Sequence, residues 1–164
     1  MKIVNIVLTL LICVNLSAQT SDRVNLSIIL RPVQSIVINQ SQKDVELIYD
    51  TEDKYKDGVI SINPDHLRVF SSGGFAVQVA SKAPDIDGLN LADVSITADA
   101  VKPNPNYTFT PITLSQNPSD LIVSGRGGRD LLFNVEYRGV GSDAYLDKEY
   151  KSYSIEVEYT ILPR

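Results

Sequence analysis

A period-two alternation of apolar and polar residues recurs from residue 24 to the end of the chain, and it constrains the fold more than any other feature. Successive side chains of a strand point to opposite faces of a sheet, so this alternation indicates half-buried strands. Leu131–Tyr137 and Tyr153–Ile161 are clear examples. Turn residues separate about nine or ten such runs. The sequence therefore predicts an all-β fold, a single antiparallel β-sandwich with Ig-like, Greek-key or pilin-like connections.

Turn residues predict how the strands connect. Ser71–Gly74 lies between two alternating runs and predicts a tight hairpin, because glycine reaches the positive φ that such turns need. Gly125–Arg129 predicts a second, mobile hairpin tip. Lys102–Asn106 contains two prolines, which exclude helix and central strand, so short edge strands are expected around Pro111. The charged stretch Asp50–Gly58 is either a loop or one short helical turn.

The start of the chain has the pattern of a cleavable secretory signal peptide. Lys2 provides a positive charge, Ile3–Val14 is an apolar run, and Leu16–Ala18 ends in the small residues that signal peptidase reads. The run is shorter than the roughly 20 residues that a membrane span needs. The sequence therefore predicts a signal peptide over residues 1–18 and a β-sandwich domain over residues 19–164. The protein is expected to be exported to the periplasm, cell surface or extracellular space, with no membrane anchor after cleavage.

Composition narrows the classes of function. The single cysteine, Cys13, lies in the predicted signal peptide, so the mature domain is expected to be stable without disulfides. A lipoprotein interpretation is disfavoured because Ile12 occupies the position that needs a small residue. The formal net charge of −5 becomes −6 when Lys2 is removed. The charges are dispersed and no basic stripe is present, which argues against a nucleic-acid partner or an anionic membrane surface.

No recognisable catalytic set is present. A Ser–His–Asp triad would have to use His66, the only histidine, and its position beside Asn63–Asp65 predicts a solvated loop residue instead. One histidine without a mature cysteine is too little for a zinc site. The sequence predicts a protein that is not an enzyme, with no catalytic residues and no cofactor. A small hydrolase with a carboxylate pair is a second alternative, although no motif places two carboxylates in one cleft.

A polar stretch near the middle of the chain is the best metal candidate. Oxygen ligands two residues apart, followed by a glycine, resemble the first half of a calcium loop. Two positions where such a loop needs further oxygen ligands hold Leu89 and Ile96, so a polar loop between strands is favoured. The candidate ligands are Asp85, Asp87, Asn90 and Asp93.

The first alternating run of the mature chain carries Val24, Leu26, Ile28 and Leu30 on one face. Alternate apolar side chains of an added strand can occupy successive pockets in a neighbour's sheet, while backbone hydrogen bonds supply affinity. These four residues are therefore a candidate donor strand for a neighbouring subunit. The other interpretation is an ordinary first strand paired within its own sandwich. It is favoured because nearly every β-sandwich begins in this way.

Three stretches resemble strands of secreted bacterial β-sandwich surface proteins, namely residues 67–79, 133–137 and 153–162. The last is similar to the closing strand of WxL-type cell-surface domains and of spore-coat-U-like fimbrial subunits. Those families are all-β, exported and non-enzymatic; the first associates with the cell wall and the second polymerises into fimbriae. The chain contains no Trp, so the Trp-x-Leu motifs are absent and no binding residue is carried over.

These observations predict an exported, non-catalytic structural or adhesion protein of the bacterial cell envelope, with the features of a subunit of a fimbria-like (pilus-like) assembly. Its expected partners are copies of itself or other surface subunits, with envelope glycan as a further partner. The first alternative is a glycan- or peptidoglycan-binding module. Such a module would need exposed tyrosine side chains beside a polar groove, and the chain has 8 Tyr.

Overall fold

The computed structural model describes residues 20–141 and 143–164, and within these ranges the fold is all-β. Nine strands form two antiparallel sheets, which confirms the predicted fold class of an all-β, sandwich-like domain. The strands are β1 (Gln34–Ile38), β2 (Val59–Ser71), β3 (Phe75–Ser81), β4 (Val94–Ala100), β5 (Tyr107–Phe109), β6 (Ile112–Thr113), β7 (Ser119–Ser124), β8 (Gly128–Gly139) and β9 (Val157–Pro163). One helix, α1 (Glu52–Asp57), and 3₁₀ turns at Gln40–Gln42, Leu91–Asp93 and Asp143–Tyr145 complete the described structure.

The two sheets enclose one apolar core. The five-stranded sheet has the order β1-β2-β8-β4-β6, and the four-stranded sheet has the order β5-β7-β3-β9. Alternation in β8 places Phe133 and Val135 in the core and leaves Glu136 and Arg138 on the outer face. Phe133 packs edge-to-face on Phe75 of the opposite sheet, with ring centroids 6.4 Å apart. The predicted short edge strands around Pro111 are confirmed, because β5 and β6 each end a sheet.

Both predicted hairpins are wrong. The Ser71–Gly74 turn joins β2 of the five-stranded sheet to β3 of the four-stranded sheet, and the turn at Gly125–Gly127 joins β7 to β8 in the same way. Both turns therefore cross from one sheet to the other. They also approach each other closely, since a Cβ added to Gly127 would lie 2.2 Å from the Ser71 carbonyl oxygen. Residue alternation within a run says which face is apolar, but it does not identify the partner strand.

Two local predictions around β2 have different outcomes. The charged stretch before β2 contains helix α1, which begins after Thr51, whose side chain accepts a hydrogen bond from the Lys54 N–H. The loop that the sequence predicted at Asn63–Asp65, beside His66, is instead part of one strand of 13 residues. A shift in the β2–β8 register between Asn63 and Leu67 accommodates Pro64 and the positive φ of Asp65 (51°). Strand β2 continues because β1 and β8 pair with it on both sides.

Three predicted strand regions have no strand in the described chain. Residues 24–30 and residues 45–49, which both alternate as strands do, belong to no strand, and β9 starts at Val157 rather than at Tyr153. The compact unit that contains both sheets spans Arg31–Arg164. The predicted signal peptide over 1–18 lies outside the described residues. Within the described part of the chain, no helix is long and apolar enough to cross a bilayer.

Candidate functional site

Strand β9 has one unpaired edge. It pairs antiparallel with β3 along its whole length, from Ser81–Val157 to Phe75–Pro163, and its other edge meets no strand of the described residues. Strand β1, the last strand of the other sheet, packs beside that open edge without joining it. The inward residues of β9, Val157, Tyr159 and Ile161, are only partly buried although they pack on the core. An edge strand with half-covered apolar residues is a template for a further strand.

Two further stretches of chain have the burial pattern of strands but belong to no strand of the described chain. Residues 45–49 and 153–156 both alternate between partly buried and exposed residues. Residues 45–49 make no backbone–backbone hydrogen bond with any described residue. In the second stretch the Glu156 carbonyl accepts a hydrogen bond from the Lys82 N–H (3.0 Å). Backbone groups beside a core are normally paired, so this pattern is typical of a sheet that lacks one strand. We call the open β9 edge, with β1 beside it, the seam.

The candidate donor residues are nearly fully exposed. Relative exposure is 91% for Val24, 86% for Leu26, 80% for Ile28 and 88% for Leu30. Residues 20–30, which we call the N-terminal segment, belong to no strand of the described chain. Residues 24–30, which were expected to be the first strand of the sandwich, form no strand in the described chain. An exposed row of large aliphatic side chains is costly in water and is characteristic of a surface that is covered in an assembly.

The sandwich fixes the point at which the N-terminal segment leaves it. The Val33 N–H donates to Ser72 Oγ (2.9 Å), and the Ser72 N–H donates to the Val33 carbonyl (2.9 Å). At the same turn, the Arg164 N–H donates to the Gly74 carbonyl (3.0 Å), which fixes the end of β9. Val33, which follows the N-terminal segment in sequence, is therefore held at the end of the sandwich at which β9 terminates.

A buried hydrogen-bonded chain lies behind β9. His66 is 1% exposed, and its Nδ1 lies 3.0 Å from Gln42 Oε1 while its Nε2 lies 2.9 Å from the Tyr137 hydroxyl. The Tyr137 hydroxyl in turn lies 2.6 Å from the Tyr159 hydroxyl of β9. Gln42 also donates from Nε2 to the Pro64 carbonyl (2.9 Å). We call these four residues (Gln42, His66, Tyr137 and Tyr159) the His66 chain.

Burial controls the protonation of the His66 chain. Desolvation lowers the pKa of His66 below its ordinary value of 6.5, so the imidazole is neutral at physiological pH. Desolvation raises the pKa of Tyr137 to about 12 and raises that of Tyr159 as well, so both phenols keep their protons. The prediction that His66 is a solvated loop residue is wrong. Asn63–Asp65 resembles a turn in sequence, but β2 runs through it and carries His66 into the interior.

The calcium candidates do not converge. Asp85 Oδ1 accepts the Gly88 N–H (2.9 Å), Asp87 pairs with Lys151 Nζ (3.1 Å), and Asn90 Oδ1 accepts the Ala92 N–H (3.0 Å). Asp93 is the only partly buried member of the set and lies at the start of β4. Among the residues that the structure describes, no three His, Cys, Asp or Glu side chains are grouped to hold a metal ion. Three of the four candidates thus close turns or form an ion pair.

A groove of about 580 Å³ lies on the four-stranded sheet near β5 and β6. Of the described residues that line it, Asp120 is the only carboxylate. Asp120 accepts a hydrogen bond from Gln78 Nε2 (2.7 Å) and forms an ion pair with Arg164. A carboxylate neutralised by arginine is a poor general base, and glycoside hydrolysis in most families requires two carboxyl groups.

A tyrosine cluster lies at the end of the sandwich that carries α1. The ring of Tyr49 packs on Tyr55 (5.5 Å between centroids) and on the edge of Tyr145 (4.9 Å), and its hydroxyl donates to the Val140 carbonyl (2.8 Å). These rings pack against one another, so they do not form the flat open platform on which a sugar ring stacks. Tyr150 is 98% exposed.

No protein-family model matches the chain, and no curated protein matches it.

Proposed function

We propose that the protein is an exported, non-catalytic subunit of a cell-surface assembly of fimbrial or adhesive type, in which copies join by strand donation. The N-terminal segment of one copy adds a strand to the seam of the next. The observation that carries this proposal is the row of four alternating aliphatic residues, each at least 80% exposed, on a segment that belongs to no strand. Strand addition supplies both the hydrogen bonds and the apolar cover that these residues lack.

The segment matches the seam in length and chemistry. Residues 24–30 number the same as Val157–Pro163, and a strand of that length spans roughly 20 Å. Four inward side chains would cover the partly buried row of β9 and the core positions Ile36 and Ile38 of β1. Full burial of each aliphatic side chain contributes roughly 1.5–3 kcal/mol before the cost of ordering the segment is subtracted.

Charge favours an antiparallel arrangement of the donated segment and β9. In that direction Arg31, which follows the segment, lies near the exposed Glu156 at the start of β9. The parallel direction would place Arg31 beside Arg164 at the other end. Opposite charges stabilise the first arrangement, whereas like charges disfavour the second.

The antiparallel direction also requires a second copy. It places Leu30 near Val157, about 20 Å along β9 from the turn at which Val33 is bound to Ser72. The three residue steps from Leu30 to Val33 span at most about 10 Å. The segment of the same copy is therefore too short to reach this position, and the donor is a neighbour.

The test compares the chain from residue 19 with its variant Ser27→Pro. Ser27 is exposed in the N-terminal segment, so proline there removes a backbone donor from the donated strand without touching the sandwich. Ser27→Thr is the matched control, because threonine favours strands. Sizing and negative-stain microscopy of protein from the native cell envelope should show filaments or ladders for the wild type and Ser27→Thr, and monomers for Ser27→Pro.

Two outcomes would overturn the proposal. One is a Ser27→Pro variant that assembles as the wild type does, and the other is a wild-type chain that remains monomeric at high concentration. A monomer that is retained on cell-wall polysaccharide would support a glycan-binding module instead.

A further inference from the structure

The hydrogen bonds of the His66 chain can run in only one donor-to-acceptor direction. The Pro64 carbonyl can only accept, so Gln42 donates to it and turns Oε1 toward the imidazole. His66 Nδ1 must then carry the hydrogen, which leaves Nε2 as an acceptor for the Tyr137 hydroxyl. Because the Tyr137 hydrogen is used in this way, the Tyr159 hydroxyl donates to the Tyr137 oxygen. Every polar side-chain atom of the His66 chain then has a hydrogen-bond partner.

Protonation of His66 is incompatible with this direction. A second hydrogen on the imidazole occupies Nε2, which then donates to the Tyr137 oxygen and no longer accepts its hydrogen. The Tyr137 hydrogen can turn to the Tyr159 oxygen, but the Tyr159 hydrogen is then left without an acceptor among the described residues. A buried hydroxyl hydrogen without a partner, and a buried charge beside it, both destabilise the closed state.

Among the residues that the structure describes, the side chains that contact the imidazole are uncharged. They are Gln42 from the 3₁₀ turn, Tyr137 from β8 and Tyr159 from β9. Asp65, the preceding residue of β2, has an exposed side chain. Burial lowers the pKa of His66, and none of these neighbours carries a negative charge that would stabilise the imidazolium.

Protonation of His66 affects β9 most, because β9 has the fewest paired edges of the three strands that carry residues of the His66 chain. Strands β2 and β8 each have partners on both edges, whereas β9 is paired only with β3 among the described strands. The Tyr137–Tyr159 hydrogen bond connects β9 to the five-stranded sheet across the core. Loss of that bond weakens the hold of β9 at the middle of the seam.

We propose that His66 is a proton-sensitive switch of the seam: neutral His66 fixes β9 through Tyr137 and Tyr159, and protonation of His66 releases β9. The consequence for assembly rests on the proposed function, in which β9 receives the donated strand. Mild acid would then make the acceptor edge mobile and disfavour strand addition, and neutral pH would restore it.

The size of the effect follows from proton linkage. An opened state in which His66 meets water has the ordinary pKa of 6.5. The opening equilibrium therefore increases by up to tenfold for each pH unit below that value, until the closed state also binds the proton. Between pH 7.5 and pH 5 the increase is up to about thirtyfold. The chain has one histidine, so a transition in this range is assigned to it without ambiguity among side chains.

The experiment measures amide hydrogen exchange and the His66 ring resonances by NMR, from pH 7.5 to pH 5, on the chain from residue 19. The Ser27→Pro background keeps the protein monomeric, so the result does not depend on assembly. We expect the opening of β9 amides, corrected for intrinsic exchange, to increase by up to about thirtyfold as the pH falls. Amides of β7 should change less, because no residue of the His66 chain lies on that strand.

The variant Tyr159→Phe separates the switch from a general loss of stability. This substitution removes the Tyr159 hydroxyl, which ends the His66 chain, but leaves His66 and Tyr137 in place. The β9 amides should then open more readily at pH 7.5 and respond less to pH than in the parent protein, while the His66 resonance still titrates. His66→Phe should abolish both responses, and if it does not fold, Tyr159→Phe alone decides the question. A flat β9 response in the parent protein, or an unchanged response in Tyr159→Phe, would overturn the inference.

Binding of a synthetic peptide of residues 20–33 to the same monomer, measured at pH 7.5 and pH 5, tests the link to assembly. Weaker binding at pH 5 supports the inference. Absence of binding at both pH values, together with a pH-dependent β9, would refute the proposed function and leave the switch established.

Discussion

Ile28→Ala and Ile29→Ala make the same chemical change at adjacent positions that face opposite sides of a donated strand. The two side chains are equally exposed in the single copy, 80% and 78%. Only Ile28 belongs to the row that would enter the seam. Each buried methylene-sized group that is removed costs about 0.8 kcal/mol of binding free energy, and the change from isoleucine to alanine removes three such groups. Scaled by the 80% of Ile28 that is available for burial, the loss is about 2 kcal/mol, or about a thirtyfold weaker Kd.

The assay uses peptides of residues 20–33 that carry each change, titrated calorimetrically into the Ser27→Pro monomer. The Ile28→Ala peptide should bind about thirtyfold more weakly than the parent peptide, and the Ile29→Ala peptide within about threefold of it, since a surface change of this kind costs about 0.5 kcal/mol. In the full chain, neither substitution should move the urea midpoint of the monomer, because both side chains are exposed there. If Ile29→Ala weakens binding as much as Ile28→Ala does, the assignment of faces, and with it the strand-donation argument, is refuted.

Three further predictions concern the monomer. Burial lowers the pKa of His66, so the contribution of its neutral form to the free energy of unfolding is complete above pH 6.5. This contribution is lost as the pH falls toward the folded-state pKa, by up to about 1.4 kcal/mol per pH unit. Urea unfolding at pH 7.5 and pH 5.5 measures the loss, and equal stability at both pH values would contradict it. Phe133→Ala should lower the free energy of unfolding by about 3–5 kcal/mol, because Phe133 is fully buried between both sheets; a loss below about 1 kcal/mol would be inconsistent with that packing. Gly127→Ala should destabilise the fold by more than about 1 kcal/mol, because its Cβ would lie 2.2 Å from the Ser71 carbonyl oxygen. Gly73→Ala is the matched control and should be close to neutral in the same assay, because a Cβ at that position would have no heavy atom within 4 Å.

The sequence predicts the inward face of each strand well. In β8 the run from Leu131 to Tyr137 alternates strictly, and the structure buries Phe133, Val135 and Tyr137 as the alternation predicts. This works because side-chain direction in a strand depends only on adjacent residues. The α1 helix is also local, since Thr51 caps it and Gly58 follows it at φ 87°.

The candidate site was predictable only in part. The alternating row of the N-terminal segment is visible in the sequence, and the sequence alone leaves open whether this row pairs within its own sandwich. The seam gave no sequence signal, because the alternating run of β9 has the same pattern whether or not a partner strand exists on each of its edges. The His66 chain was missed, since Asn63–Asp65 resembles a turn and no local rule joins residues 42, 66, 137 and 159.

The sequence by itself therefore determined that this chain forms strands, which residues of strands such as β8 face the core, and that its single cysteine has no partner for a disulfide within the printed sequence. The tertiary structure alone decided that the Ser71–Gly74 turn crosses between sheets, that β2 continues through Pro64 and buries His66, and that one edge of β9 meets no other described strand. The reason is physical. Side-chain direction and turn preference depend on neighbours in sequence, whereas strand pairing and burial depend on contacts between residues that are distant in sequence, and these contacts are favourable only in combination.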